Sequence, residues 1–264
     1  MNHRSKYHIG FGADDLGDDP PSIVLLCGDP ERSRKIAERT SGVHCEKTLS
    51  ENRGLNSYLA SLSSGRKIVV ATSGMGAPSL SIVVNELFDV GIRHIIRVGT
   101  SGSIQDFVKT GSVVISKAAL CKQGAADDIA PLEYPSAADP FLTIALVDAA
   151  RELRLDWHLG ISASVDTFYE AQERRNSSAN RHLLRRLVGI TEEYRRLNVL
   201  NFEMEAGTLF KMGGVYGFAA GCVCAVLAER ASDEEVMRSM KEKSEDSAIQ
   251  VALRAVEIYN PDRG

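Results

Sequence analysis

Short runs of consecutive apolar residues alternate along this chain with stretches whose apolar positions recur every three or four residues. Unbroken apolar runs fit strands buried on both faces, and the 3.6-residue period fits helices packed against a sheet. Ser22–Cys27 (SIVLLC), Lys67–Thr72 (KIVVAT) and His94–Val98 (HIIRV) read as such strands, with Val113–Ile115, Gly160–Ala163 and Ala219–Leu227 as further candidates. Pro30 is placed to open a helix through Lys35, because proline at the first helical position forfeits no hydrogen bond. Leu80–Val90, Leu142–Leu153 and Glu234–Tyr259 carry helical patterns. The alternation predicts an α/β fold. No repeat, low-complexity block or Pro/Ser-rich linker interrupts the 264 residues, so residues 1–264 are expected to form a single domain. The least regular stretch, Glu170–Arg196, is rich in arginine and is expected to make a helical excursion over a site, with Arg181, Arg185 and Arg186 on a solvated face.

Charge and cysteine usage remove several function classes. The chain has 31 Lys+Arg against 35 Asp+Glu, a formal net charge of −4, which offers no attraction to nucleic acid or an anionic membrane. Cys27, Cys45, Cys121, Cys222 and Cys224 are odd in number and lack CxxC spacing, so they fit small buried hydrophobes better than a disulfide frame or a zinc site. His3, His44, His94, His158 and His182 also lack ligand spacing, and no metal site is expected. The N-terminus has no apolar signal-peptide core. The most apolar stretch, Phe218–Leu227, is half of the ~20 residues a membrane helix needs. A soluble, cytoplasmic protein with no membrane or nucleic-acid partner is expected.

Three glycine-rich turns follow apolar runs: GDPER (Gly28–Arg32), SGMGAPS (Ser73–Ser79) and RVGTSGS (Arg97–Ser103). Ligands of α/β sheets bind beyond the carboxyl ends of the strands, and glycines there let backbone N–H groups approach an anion. Arg32 and Arg97 could add bidentate contacts to an oxyanion, and Thr100 a hydroxyl. The chain has no GxxxxGK[ST], so a triphosphate P-loop is not indicated, and GxGxxS at Gly74 lacks the third glycine of a dinucleotide site. A further segment, NFEMEAGTLF (Asn201–Phe210), carries Glu203 and Glu205 in apolar sequence that reads as a helix start. Buried carboxylates need partners. The hydroxyls of a ribose would supply them, or the helix dipole alone would favour the two acids there. Pattern does not choose between these two readings.

The set GDPER, SGMGAPS, IRVGTSGSI, APLEYPSAAD, DTFYEAQER and NFEMEAGTLF resembles the nucleoside phosphorylase-I family, in order and over nearly the whole chain. FYxxQxR, at Phe168–Arg174, is the part similar to its uridine-cleaving branch. The resemblance implies one α/β domain, a central mixed β-sheet flanked by helices. It also implies reversible phosphorolysis of uridine to uracil and α-ribose-1-phosphate. Phosphate would be held by Gly28, Arg32, Arg97 and Thr100, with Arg53 reaching in from a neighbouring subunit. Ribose would sit on Met204 and Glu205, with Glu203 near and a neighbour's His8 approaching. Uracil would pack on Phe168 beside Phe202 and Arg230, and bond to Gln172 and Arg174. Arg97, Glu205, Gln172 and Arg174 would carry the chemistry. The residues agree with this: a uracil edge presents acceptor, donor and acceptor, which a glutamine amide and an arginine match.

The same resemblance implies inorganic phosphate as co-substrate and no cofactor. It implies a homo-oligomer, with a dimer as the minimum and a hexamer possible. Gly54 stands where bacterial relatives carry a glutamate that helps hold an inter-subunit potassium ion, which argues against that ion. Glu229 stands where the uridine branch has asparagine and near where purine enzymes place an acidic proton donor. A purine or broad-specificity phosphorylase therefore remains an alternative, as does a non-catalytic nucleoside-binding protein. Phe202 replaces a frequent tyrosine, and Gln123–Asp128 lacks a histidine common in bacterial relatives.

Overall fold

A computed structural model describes residues 5–229 and 238–261 of the chain. Among the described residues, nine strands form one mixed sheet: β1 (Ile23–Cys27), β2 (Val43–Ser50), β3 (Ser57–Leu62), β4 (Lys67–Thr72), β5 (His94–Ser103), β6 (Val113–Lys122), β7 (Trp157–Val165), β8 (Val199–Glu203) and β9 (Ala219–Glu229). Their order is β2-β3-β4-β1-β5-β8-β7-β6-β9, and β5 also pairs with β9 in parallel. The pairings β5–β8–β7–β6–β9–β5 therefore close into a ring, from which β1, β4, β3 and β2 continue as an open wing.

Seven α-helices among the described residues cover the sheet: α1 (Pro30–Arg34), α2 (Ala77–Asp89), α3 (Gly124–Asp127), α4 (Pro140–Glu152), α5 (Ile190–Arg196), α6 (Ala206–Tyr216) and α7 (Arg238–Ile258). The period of two along β1 explains why its sequence is apolar without a break. Val24 and Leu26 pack with Leu80 and Val84 of α2 and Leu209 and Phe210 of α6. Ile23, Leu25 and Cys27 pack with Leu142 and Leu146 of α4 and Ile249 and Val256 of α7. Two cores thus lie on the two faces of the sheet.

Several local expectations need correction. RVGTSGS is not a loop after a short strand, because β5 runs on through Ser103 and its ring partners take up the backbone hydrogen bonds of the glycine-rich part. NFEME does not start a helix: Asn201–Glu203 end β8, and α6 begins only at Ala206. The Glu170–Arg196 stretch is mostly turns and bends, with regular helix confined to α5 and a 3-10 turn at Arg185–Leu187, so Arg181, Arg185 and Arg186 are exposed but on no α-helix. The helix expected from Pro30 ends at Arg34 and passes into a π-helical turn, Lys35–Arg39. No helix among the described residues is long and apolar enough to cross a membrane.

Candidate active site

The ends of β1, β4 and β8 and the middle of β5 converge on one cleft of about 410 Å³. Gly28, Arg32, Arg97, Thr100, Phe168, Gln172, Arg174, Phe202, Glu203, Met204 and Glu205 all line it, so eleven of the expected residues meet in one place. Met75 and Glu245 line it as well.

At one end are two buried guanidinium groups. Arg32, on the first turn of α1 behind the Asp29 cap, donates from Nη2 to Glu245 Oε1 at 2.9 Å and from Nη1 to the Val98 carbonyl at 3.3 Å. Arg97, on β5, donates from Nε to Glu203 Oε2 at 3.2 Å and pairs through Nη2 with Glu205. Arg32 Nε and Arg97 Nη1 are buried and have no partner among the described residues. Backbone closeness accompanies this: a Cβ on Gly99 would stand 2.9 Å from Arg97 Nη2 and 2.8 Å from Cys224 Sγ, so β5 needs glycine to admit that guanidinium. Burial presses on the charge of Arg97, and Glu205 and Glu203 overcome it, so its pKa is raised and the group stays cationic.

The EME segment divides its labour between its two acids. Glu203 Oε2 accepts from the backbone N–H groups of Glu205 (2.9 Å) and Ala206 (2.8 Å) besides Arg97, and Oε1 accepts from the Ser164 hydroxyl. Glu203 is thus filled by donors at the start of α6, where the helix dipole favours it. Glu205 accepts from the Gly76 N–H, and Gly76 holds φ +85°, a conformation that favours glycine. Burial raises the Glu205 pKa despite Arg97, with Glu203 adding to the rise. Gln123 pins the same turn. Its amide donates to the Met204 carbonyl and its oxygen accepts from Thr208 N–H (3.0 Å) and hydroxyl (2.9 Å).

The other end of the cleft is aromatic and polar. Arg174 Cζ lies 4.0 Å from the Phe168 ring centroid, and Arg174 Nε donates to Gln172 Oε1 at 3.3 Å. Gln172 and Arg174 are buried, and Phe168 is half-exposed. Phe202 is buried against Tyr194, with ring centroids 5.8 Å apart. Cys27 sits behind Gly28, where burial pushes its thiol up to about 12, so it is no nucleophile at neutral pH.

Two expected residues are elsewhere and one lies outside the described residues. His8 is bound to Glu86 (Nδ1 to Oε1 2.6 Å), Arg53 stacks 5.8 Å from the exposed Tyr7 ring, and the Asn52 amide donates to the carbonyls of Tyr7 and His8. His8 and Arg53 therefore share a patch outside their own chain's cleft. Arg230 lies outside the described residues. Glu229 points to the β5–β6 connection: Oε1 accepts from Thr110 N–H at 3.0 Å and Oε2 pairs with Lys109 at 3.1 Å. The Thr110 hydrogen bond, with Lys109, holds its pKa below the ordinary carboxylate value, the opposite of what a proton donor needs.

Sequence reading missed Glu245 and gave Gln123 no role. Glu245 had a signal, because it falls on the buried stripe of α7 with Ala248, Ile249 and Ala252, where an acid requires a partner.

A profile of the phosphorylase superfamily matches residues 22–258. The chain belongs to the phosphorylase superfamily. Among its superfamily relatives, the uridine phosphorylase of Salmonella typhimurium strain LT2 is 35% identical over 255 residues, covering 97% of this chain and 98% of the relative. The uridine phosphorylase of Thermococcus kodakarensis is 36% identical over 253 residues, covering 96% and 86%. A guanosine phosphorylase of Halorubrum lacusprofundi is 28% identical over 246 residues, covering 90% and 94%.

Proposed function

We propose that this superfamily member catalyses the reversible phosphorolysis of uridine to uracil and α-ribose-1-phosphate. The observation that carries the reading is the pairing, in one cleft, of guanidinium N–H groups at Arg32 and Arg97 that have no partner among the described residues with the Phe168–Gln172–Arg174 cluster. The first suits an oxyanion. The second suits a flat ring with an acceptor–donor–acceptor edge. Gln172 Oε1, turned to Arg174 by one hydrogen bond, keeps a second lone pair for the uracil N3–H while its amide nitrogen donates to O2. Arg174 then serves O4 and the negative charge that grows on uracil as it leaves.

Phosphate held by Gly28, Arg32, Arg97 and Thr100 would attack C1′ as the glycosidic bond stretches toward an oxocarbenium-like state. Met204 and Glu205 hold the ribose. The work is positioning and electrostatics, through dipoles and charges fixed beforehand. Inorganic phosphate is the co-substrate and the scheme calls for no cofactor; Gly54 brings no carboxylate to an inter-subunit potassium site. The ionised, engaged Glu229 speaks against a purine proton donor.

The described lining of the cleft holds three guanidinium groups, Arg32, Arg97 and Arg174, against four carboxylates, Asp29, Glu203, Glu205 and Glu245. A dianion entering such a site favours one more cation. Arg53, in its patch with His8 and Tyr7, is the group that a second copy would bring, which makes a homo-oligomer, at least a dimer, the active unit. The five cysteines are free, as fits the reducing cytoplasm. The test is uracil release from uridine with and without phosphate, with inosine as control. Phosphate-dependent cleavage of uridine is expected. Cleavage of inosine, release indifferent to phosphate, or uridine binding without turnover would each overturn the reading.

A further inference from the structure

The scheme above gives no part to the acid that pairs with Arg32. Glu245, on α7, is 9% exposed, lines the cleft, and meets Arg32 Nη2 through Oε1 at 2.9 Å. The other three carboxylates of the cleft pair with other groups. Asp29 caps α1 through the Glu31 N–H at 2.9 Å, Glu203 is filled by donors at the start of α6, and Glu205 is shared between Arg97 and Gly76. Glu245 is the carboxylate of the cleft that pairs with the anion-facing arginine of α1.

A buried carboxylate next to an anion site repels an oxyanion that has lost all its protons. Its effect reverses when the anion keeps one, because an O–H donated to a carboxylate makes a short, charge-assisted hydrogen bond. Phosphate and sulfate are both tetrahedral and of similar size. At neutral pH phosphate retains at least one proton and sulfate retains none. We infer that Glu245 is a specificity-determining residue that makes the anion subsite select protonated tetrahedral oxyanions, phosphate and arsenate, over sulfate. The inference rests on the phosphorolytic reading of this cleft. Selection works by leaving acceptor against acceptor when the wrong anion binds, and such an unsatisfied buried pair is worth roughly 10- to 100-fold in affinity.

Equilibrium binding of inorganic phosphate and of sulfate to the full chain, without nucleoside and at matched ionic strength, tests it. The wild type is expected to favour phosphate by roughly 10-fold or more. Glu245→Gln, whose amide offers sulfate a donor, is expected to bring the two affinities together, and Glu245→Asp to retain the preference. A wild type that binds both anions alike overturns the inference, with no variant needed. So does a Glu245→Gln protein that binds both anions more tightly by the same factor, which would show only the loss of a charge. If uridine is not cleaved while phosphate still outbinds sulfate, the uridine reading falls and this one stands; if neither anion binds, the anion subsite itself is refuted.

Discussion

Substituting Glu203 separates hydrogen bonding from charge at the centre of the cleft. Its Oε2 takes three N–H donors, from Arg97 (3.2 Å), Glu205 (2.9 Å) and Ala206 (2.8 Å), and its Oε1 takes the Ser164 hydroxyl. Glu203→Gln can keep the count of bonds: the amide oxygen replaces Oε2, and the amide nitrogen donates to Ser164 Oγ. Only charge assistance is lost. Hydrogen bonds to charged groups are worth ~1.5–3 kcal/mol against ~0.5–1.5 for neutral ones, so the cost is about 1–2 kcal/mol. Glu203→Leu instead strips the acceptor from two N–H groups at the start of α6 and leaves Arg97 with Glu205 as its one carboxylate, which costs about 3–5 kcal/mol. For a chain of this length each kcal/mol lowers Tm by roughly 2–4 °C. Thermal unfolding at a fixed protomer concentration should rank wild type above Gln above Leu. Because Arg97 loses its orientation, the KM for phosphate should rise in the same order. Equal destabilisation by Gln and Leu, or a Leu variant within about 1 kcal/mol of wild type, would refute the network.

Three further outcomes follow from the same geometry. The Glu205 pKa is raised by burial, so in the window between the ordinary carboxylate value and the raised one the folded state holds the extra proton; stability should fall as pH rises through that window, and Glu205→Gln should remove this slope in a Tm-against-pH series. Glu229→Gln should leave the ratio of uridine to inosine cleavage unchanged, since that carboxylate is engaged by Thr110 and Lys109; a shifted ratio in a substrate panel would return Glu229 to the site. Arg53→Ala and Arg97→Ala proteins should each be nearly inactive alone and regain uridine cleavage when their protomers are mixed in one oligomer, and silence of the mixture would rule out a shared site.

How far the chain discloses its fold depends on where burial falls. β1, β4 and the first half of β5 are legible because both of their faces are covered, which demands an unbroken apolar run. β2 is not, because Val43–Ser50 is an edge strand with five of its eight positions polar and exposed or half-exposed, and its apolar alternation Val43, Cys45, Leu49 is broken by Lys47. β8 is hidden for the opposite reason. Its polar Asn201 and Glu203 are buried inside the strand ring, where Ser162 and Ser164 on β7 bond to them, so a wholly buried strand reads as amphipathic and merges with the helix that follows. The site shows the same division. The arginines announce an anion, but each is already matched to a carboxylate far away in sequence, so the pairing itself leaves no local trace; Arg32 and Glu245 lie 213 positions apart. What an incoming anion meets is therefore not two free positive charges but two N–H groups left over from ion pairs, Arg32 Nε and Arg97 Nη1, framed by acids. Positive charge beside a glycine turn is enough to draw an anion in, whereas the choice among anions must come from the acids that frame those groups.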